Sequence, residues 1–284
     1  GHPMFGDGPS RLPVTDAHVH TIIKSVQRSV KLSSPLSVQG TMVQDRQPAI
    51  SLRTDIDTPM IPVTTTLIPA DPDMPTRNYK STVARHLDLT PNLVAATLAD
   101  AVEEGAPDAT ELIATFDQTI VLETSKGRRT LDIHDETFFT RGVSAAALTR
   151  GLGFLAMSAA LDNDFEIAKI ISVDQKIKVD YSTEVERIEE IRLKSGEVRA
   201  GEIVRFEVEF SPRRGPNRVE TLALRVPEDA AGQKVIFEFA GGDWVVPYAA
   251  IPADLDALLD NVLDAYPSRS VVAATYLPDE GLST

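Results

Sequence analysis

The string Asp16-Ala17-His18-Val19-His20 combines residue types and a spacing that could bind a metal ion. On a β-strand, residues two apart share a face, so His18 and His20 would present two imidazoles to one side, as in metal-dependent amidohydrolases. Those barrel enzymes take further ligands from later strands, but downstream this sequence has only His86 and His134. We therefore expect no metal here and interpret His18 and His20 as half-exposed strand residues. Metal-dependent hydrolysis is a distant alternative.

The segment Gly151-Leu152-Gly153-Phe154-Leu155-Ala156, with Asp174 about 20 residues further on, imitates the glycine pattern of a dinucleotide-binding turn. Such a turn follows a β-strand, and residues 145–150 have a poor strand pattern. We therefore attribute these glycines to close helix packing and predict no cofactor. The sequence also has no Gly-x-x-x-x-Gly-Lys phosphate loop and no Gly-x-Ser-x-Gly elbow.

Composition and charge limit the classes of function. The chain has 284 residues, 42% of them hydrophobic, which suffices for one large domain or two ordinary ones. Its 42 acidic and 28 basic residues give a net charge of −14, which excludes a general nucleic-acid binder, since phosphate binding needs Lys and Arg. No run approaches the roughly 20 apolar residues of a membrane-spanning helix, and no secretory signal opens the sequence. The absence of cysteine fits the cytosol and an oxidising compartment equally well.

The hydrophobic periodicity of residues 1–180 predicts a β-rich unit followed by a mixed α+β extension. Short period-2 runs interrupted by Pro predict strands within 14–32, 40–44, 49–52 and 60–68. The clearest helix covers 91–104, with Thr90 as its cap and Gly105 after its end. Further predicted elements are a hairpin with arms at 111–123 and 129–137, an Ala-rich helix over 143–161, and an extended segment over 165–179.

The pattern changes near residue 181. Four short period-2 segments, separated by Gly and Pro, predict an immunoglobulin-like β-sandwich over 181–245 that forms a separable unit. Residues 246–284 are predicted to hold an amphipathic helix over 252–266 and a strand over 271–277. The overall fold class is therefore α+β, in three regions: 1–180, 181–245 and 246–284.

The opening quarter of the chain resembles the SpoIVB-type serine peptidase family, in particular its long secreted or envelope-associated bacterial members. The positions that carry the resemblance are Gly1-His2-Pro3-Met4, Gly8, Pro13, Ala17, Val19, Ser25, Ser29, Lys31, Gly40-Thr41, Asp45-Arg46, Ile50 and Met60-Ile61-Pro62-Val63. The resemblance is good over 1–68 and looser over 69–284.

The resemblance implies that His2 is a catalytic general base. In that family, a His after Gly activates a Ser in a Gly-Met-Ser-Gly-Ser-Pro-like motif, and this sequence has no such motif. We therefore expect this chain to be the C-terminal part of a larger protein, with the nucleophile on an upstream segment. Without that Ser, His2 can abstract a proton but cannot form an acyl-enzyme.

Two hypotheses about function remain open at this point. In the first, the chain is part of a periplasmic or secreted serine peptidase that acts on a protein substrate and requires its own upstream segment. In the second, it is a noncatalytic envelope scaffold, derived from the same fold, that binds partner proteins. Neither hypothesis includes a cofactor, a nucleic acid or a membrane span.

Overall fold

A computed structural model describes residues 11–24, 29–46, 49–105, 111–194 and 198–277. It confirms a β-rich α+β chain. The strands are β1 (Leu12–Ile23), β2 (Val30–Arg46), β3 (Ala49–Arg53), β4 (Met60–Ile68), β5 (Arg77–Ala84), β6 (Leu112–Thr124), β7 (Gly127–Phe139), β8 (Lys169–Asp180), β9 (Glu186–Leu193), β10 (Ile203–Pro212), β11 (Arg218–Arg225), β12 (Ile236–Gly241) and β13 (Val271–Tyr276). The α-helices are α1 (Thr90–Gly105), α2 (Ala145–Leu148), α3 (Leu152–Leu161) and α4 (Leu255–Leu263).

The first three strands form an antiparallel sheet in the order β1-β2-β3 that pairs with no other described strand. Residues 30–46 form one long strand rather than the separate short ones that the Pro and Gly residues predict. Thr41 ties this sheet to the chain that leads into β4, because its hydroxyl donates to the carbonyl oxygen of Ile56 at 2.7 Å.

A five-stranded sheet in the order β5-β4-β8-β6-β7 forms the centre of residues 60–180. The β6–β7 hairpin confirms the prediction, with Ser125 and Lys126 between its arms. β4 and β8 run parallel, whereas the other neighbouring pairs are antiparallel. β5 is not among the predicted elements, because its alternation of polar residues with few apolar ones gives a weak strand pattern.

Helices cover one face of this sheet and bury its apolar side chains. α3 and α4 pack through Met157, Leu255 and Leu259 onto β4, β6 and β8, and α1 and α2 cover the rest of the face. The predicted helix over 91–104 is confirmed as α1. Thr90 accepts the backbone N–H of His86 at 2.8 Å and donates to the carbonyl of Ala84 at 3.0 Å, which fixes where this helix begins.

The single helix predicted over 143–161 is wrong, because two helices form there. Ser144 caps α2 by accepting the N–H of Ala147 at 3.2 Å. The second helix, α3, begins at Leu152, whose N–H donates to a carboxylate oxygen of Asp135 on β7 at 3.0 Å. The break therefore depends on a residue from a distant strand, which helical periodicity alone does not reveal.

The C-terminal strands form a three-stranded sheet, β11-β10-β9, and a two-stranded sheet, β12-β13. Phe206 of the first sheet contacts Phe237 and Phe239 of the second, with ring centroids 5.0 and 4.9 Å apart. An immunoglobulin-like sandwich has about seven strands, so these five strands do not confirm that finer prediction. β13 comes from the 246–284 region and pairs along the whole of β12. Among the described residues, no helix is long and apolar enough to cross a membrane.

Candidate functional site

The predicted catalytic base, His2, lies outside the described residues, together with Gly1. Its geometry toward any Ser therefore stays a prediction.

His18 and His20 are exposed neighbours on β1, with ring centroids 4.9 Å apart in an edge-on arrangement. The Nε2 atom of His20 lies 2.7 Å from the hydroxyl of Ser34 on β2, which is within reach for proton transfer. Both side chains stand in solvent, so neither is in the desolvated setting that tunes a catalytic pair. Nowhere in the described ranges do three or more His, Cys, Asp or Glu side chains form a group that could hold a metal ion.

The other two described histidines have different environments. His86 is buried, and its Nδ1 accepts the N–H of Asp88 at 3.1 Å, so it organises the turn before α1. His134 is exposed on β7, with its Nδ1 2.7 Å from a carboxylate oxygen of Asp117 on β6.

The His134–Asp117 pair belongs to the polar face of the five-stranded sheet, opposite the helices. Thr66, Lys176, Asp117 and His134 lie side by side across β4, β8, β6 and β7. They border a shallow pocket of about 430 Å³. Thr119 donates to Asp132 at 2.8 Å on the same face. These contacts form a solvated polar surface.

Gly153 serves close helix packing, as predicted for the glycines of this segment, whereas Gly151 lies outside the helix as its N-cap. Gly151 precedes the first turn of α3, and the preceding element is a helix rather than a strand. A Cβ atom on Gly153 would overlap the side-chain amide of Gln118 on β6. The close approach of α3 to the sheet therefore requires Gly at this position.

Large apolar side chains are exposed on both sides of the β1-β2-β3 sheet, since neighbours such as Ile22 and Ile23 point to opposite sides. Nine large ones are between 42% and 66% exposed: Val19, Ile22, Ile23, Val30, Leu32, Leu36, Val38, Ile50 and Leu52. Leu32 and Val38 lie on opposite sides of β2, because an extra residue between Pro35 and Val38 shifts the register with β1. Residues 29–39 are exposed throughout, so no helix or second sheet in the described part of the chain covers either side there.

A second apolar surface lies between β12 and α4, in residues 244–251, which we name the strap. Trp244, Val246, Tyr248 and Ile251 are 78%, 89%, 99% and 95% exposed. The strap borders a groove of about 1170 Å³, whose other walls are formed by α1, α2, α3, α4 and the end of β7. Val245 and Pro247 are only half-exposed, so alternate residues of the strap point outward.

The sequence-based prediction of functional residues includes neither the apolar residues of β1–β3 nor those of the strap. For the strap, a usable signal was present, since residues 245–253 carry no charge in a chain of which 25% is charged. For β1–β3, period 2 predicts the strands but does not say whether a covering layer exists. No family model, curated protein or solved structure matches this chain, so both surfaces are interpreted from their geometry.

Proposed function

We propose that this chain is a noncatalytic scaffold that binds other polypeptides through the β1-β2-β3 sheet. The observation that carries the proposal is the set of nine large apolar side chains exposed on these three strands. The binding partner is a polypeptide that contributes an apolar face.

In the described residues, no second layer packs on the β1-β2-β3 sheet. A sheet is stabilised when its apolar side is buried against another layer, and three strands alone bury little surface. Scattered exposed apolar residues are normal, whereas a contiguous patch marks an interaction site. Leu36 and Val38, at 66% and 64% exposed, are the most exposed of the nine, and both lie on the central strand.

Long exposed strands also provide backbone groups for pairing. β1 and β3 are the two edges of this sheet, and β1 runs from Leu12 to Ile23. A partner strand could add to an edge while its side chains cover apolar residues next to that edge. Both contacts are typical of a protein that belongs to a larger assembly. We infer that this protein is periplasmic or secreted, because residues 1–68 resemble envelope-associated members of the peptidase family.

Site-specific photocrosslinking tests this function in the native source. Benzoylphenylalanine is placed at Leu36, with a control at Thr66 on the polar face of the five-stranded sheet. We expect a discrete cross-linked polypeptide from position 36 alone, with its contact peptide mapped by mass spectrometry. Leu36→Asp should abolish the stable complex while circular dichroism stays unchanged. Equal cross-linking from both positions, or a complex that persists in Leu36→Asp, contradicts the proposal.

A second candidate rests on the residues shared with SpoIVB-type peptidases, among them His2 and the Met60-Ile61-Pro62-Val63 string in β4. In this alternative, a Ser from an upstream segment meets His2, and the chain completes a serine peptidase. The test uses a longer protein that contains both segments. His2→Ala should abolish hydrolysis of a denatured protein substrate, and Leu36→Asp should leave it intact. Full hydrolysis by His2→Ala would show that this candidate is wrong.

A further inference from the structure

We propose that two copies of this chain form a twofold dimer in which the strap of each copy occupies the groove of the other. This contact is separate from the scaffold surface on β1–β3, and it does not depend on the proposed function.

The strap is held at both ends while its middle faces solvent. At its start, Gly242 is buried against residues 267–270, and its N–H donates to the carbonyl of Ser270 at 3.0 Å. Near its end, the Asn261 amide of α4 donates to the carbonyl of Ala250 at 2.9 Å. Within the described residues, the backbone N–H groups of Val246 and of 248–251 donate no hydrogen bond, and Pro247 has none to donate. The strap thus presents its outward side chains from a fixed base.

The groove beside the strap offers apolar walls of matching character. Leu152, Phe154 and the 43% exposed Leu155 contribute to them. The strap itself forms one wall of the groove, so the ridge and the groove lie in a single patch. Such a patch can be self-complementary, as a twofold interface requires, with residue i contacting j and j contacting i. Each copy then supplies one ridge and receives one.

The surface available is large enough for a stable dimer. Trp244 and Tyr248 expose 78% and 99% of their surface, and burying an aromatic side chain removes about 200 Å². The four aromatic residues of two copies therefore contribute about 700 Å². Val246, Ile251 and the facing groove walls bring the total to roughly 1,200 Å² or more, which is the range of specific interfaces.

Charged residues around the groove favour a second copy of the chain over an anionic lipid surface as the partner of the strap. Arg141 and Arg150 line the groove, are exposed, and form no ion pair with a described residue. Asp243, which immediately precedes Trp244, lines the same groove and is also unpaired within the described ranges. In the dimer, Asp243 of one copy approaches the arginines of the other. An anionic membrane would instead be repelled by a chain of net charge −14.

The single tryptophan of the chain, Trp244, lies in the strap and provides a direct reading of its burial. We expect its emission to shift to shorter wavelength as the full chain is concentrated, in parallel with dimer formation in sedimentation equilibrium. Tyr248→Glu should raise the dimer dissociation constant about tenfold or more. Ile167→Glu is the matched control, since Ile167 is 87% exposed outside the strap, and it should leave the dimer unchanged.

Charge reversal tests the reciprocal geometry. Asp243→Arg and Arg150→Asp should each weaken self-association, because like charges then meet twice in the homodimer. An equimolar mixture of the two variants should restore association, because both contacts become complementary in the heterodimer. A chain that stays monomeric at about 100 µM, or a dimer that Tyr248→Glu leaves intact, overturns the proposal. Binding of Trp244 to lipid vesicles without dimer formation also overturns it. Leu36→Asp, on the separate scaffold surface, should leave the Trp244 emission and the dimer dissociation constant unchanged.

Discussion

The side-chain amide of Gln118 on β6 donates to the side-chain oxygen of Gln175 on β8 at 2.9 Å, and both residues are buried beneath the helices. The amide nitrogen of Gln175 in turn lies 3.2 Å from the hydroxyl of Thr65 on β4 and 3.3 Å from that of Thr97 on α1. A polar chain therefore crosses three strands inside an apolar core. Such groups are retained when their hydrogen bonds are satisfied.

We expect Gln175→Leu to lower the free energy of unfolding by about 1–3 kcal/mol, because it leaves the amide of Gln118 buried without its acceptor. Urea denaturation followed by circular dichroism measures this change. Lys176→Gln, one residue along on the exposed face, is the control and should stay within about 0.5 kcal/mol of the wild type. A fully stable Gln175→Leu would mean that the amide of Gln118 finds another acceptor.

Gly153→Ala should also destabilise the fold, by about 1–3 kcal/mol, since the added methyl group overlaps the Gln118 amide. Helix propensity alone predicts the opposite sign, because Ala is favoured over Gly within a helix. Ser158→Ala on the same helix removes no packing constraint and serves as the control. Thermal melting distinguishes the two effects, and a raised melting temperature for Gly153→Ala would contradict the close contact.

Local sequence signals account for the elements whose boundaries depend on nearby residues. The helix over 91–104 and the hairpin around Ser125-Lys126 are of this kind, since their caps and turn lie within the same segment. The break before α3 is not, because the carboxylate of Asp135 that receives the N–H of Leu152 comes from β7. Likewise, no local pattern indicates that β4 and β8 pair side by side.

The candidate site was less accessible to prediction than the fold. The family resemblance identified His2 as a candidate base. The apolar surfaces on β1–β3 and the strap can be recognised only in the fold, because they are exposed where no other layer packs on them. Leu36 has the same strand-like surroundings in the sequence as the buried Val63 of β4, and only the fold separates their environments. Sequence periodicity therefore predicts strands, while exposure depends on long-range packing.

The pairing of α4 with the β6–β7 hairpin should depend on pH. Hydrogen bonds from Lys126, and then from Arg129, hold the pKa of Asp256 below its ordinary value. A lowered folded-state pKa means that this contribution to stability is present above about pH 4 and is lost as the pH falls through the folded value. We therefore expect Asp256→Asn to lower the urea midpoint at pH 7 and to differ little from the wild type in strong acid.

The control for this experiment is Asp164→Asn, since Asp164 is exposed and pairs with no described residue. It should leave the midpoint unchanged at both pH values. A loss in Asp256→Asn that persists undiminished in acid would mean that the effect arises from packing rather than from charge.

Because β12 pairs with β13, a fragment that contains the C-terminal sheets should fold on its own only if it includes β13. A fragment of residues 181–244 lacks β13, so β12 loses its partner along Ile236–Gly241. Since Gly242 bonds to Ser270, a short linker can join 181–242 to 270–277. We expect cooperative melting of the linked fragment but not of 181–244 alone. Cooperative melting of both would show that β13 is dispensable.

The parallel neighbours β4 and β8 bring together Thr65 and Gln175, which are 110 residues apart in the sequence. Because a ribosome releases the chain from its N-terminus, β4 emerges long before the strand that flanks it. The β6–β7 hairpin closes within its own segment and can form early, whereas the sheet gains its middle strand only when β8 arrives. Until then β4 has only β5 beside it, and this interval is when the nascent chain most needs protection from aggregation.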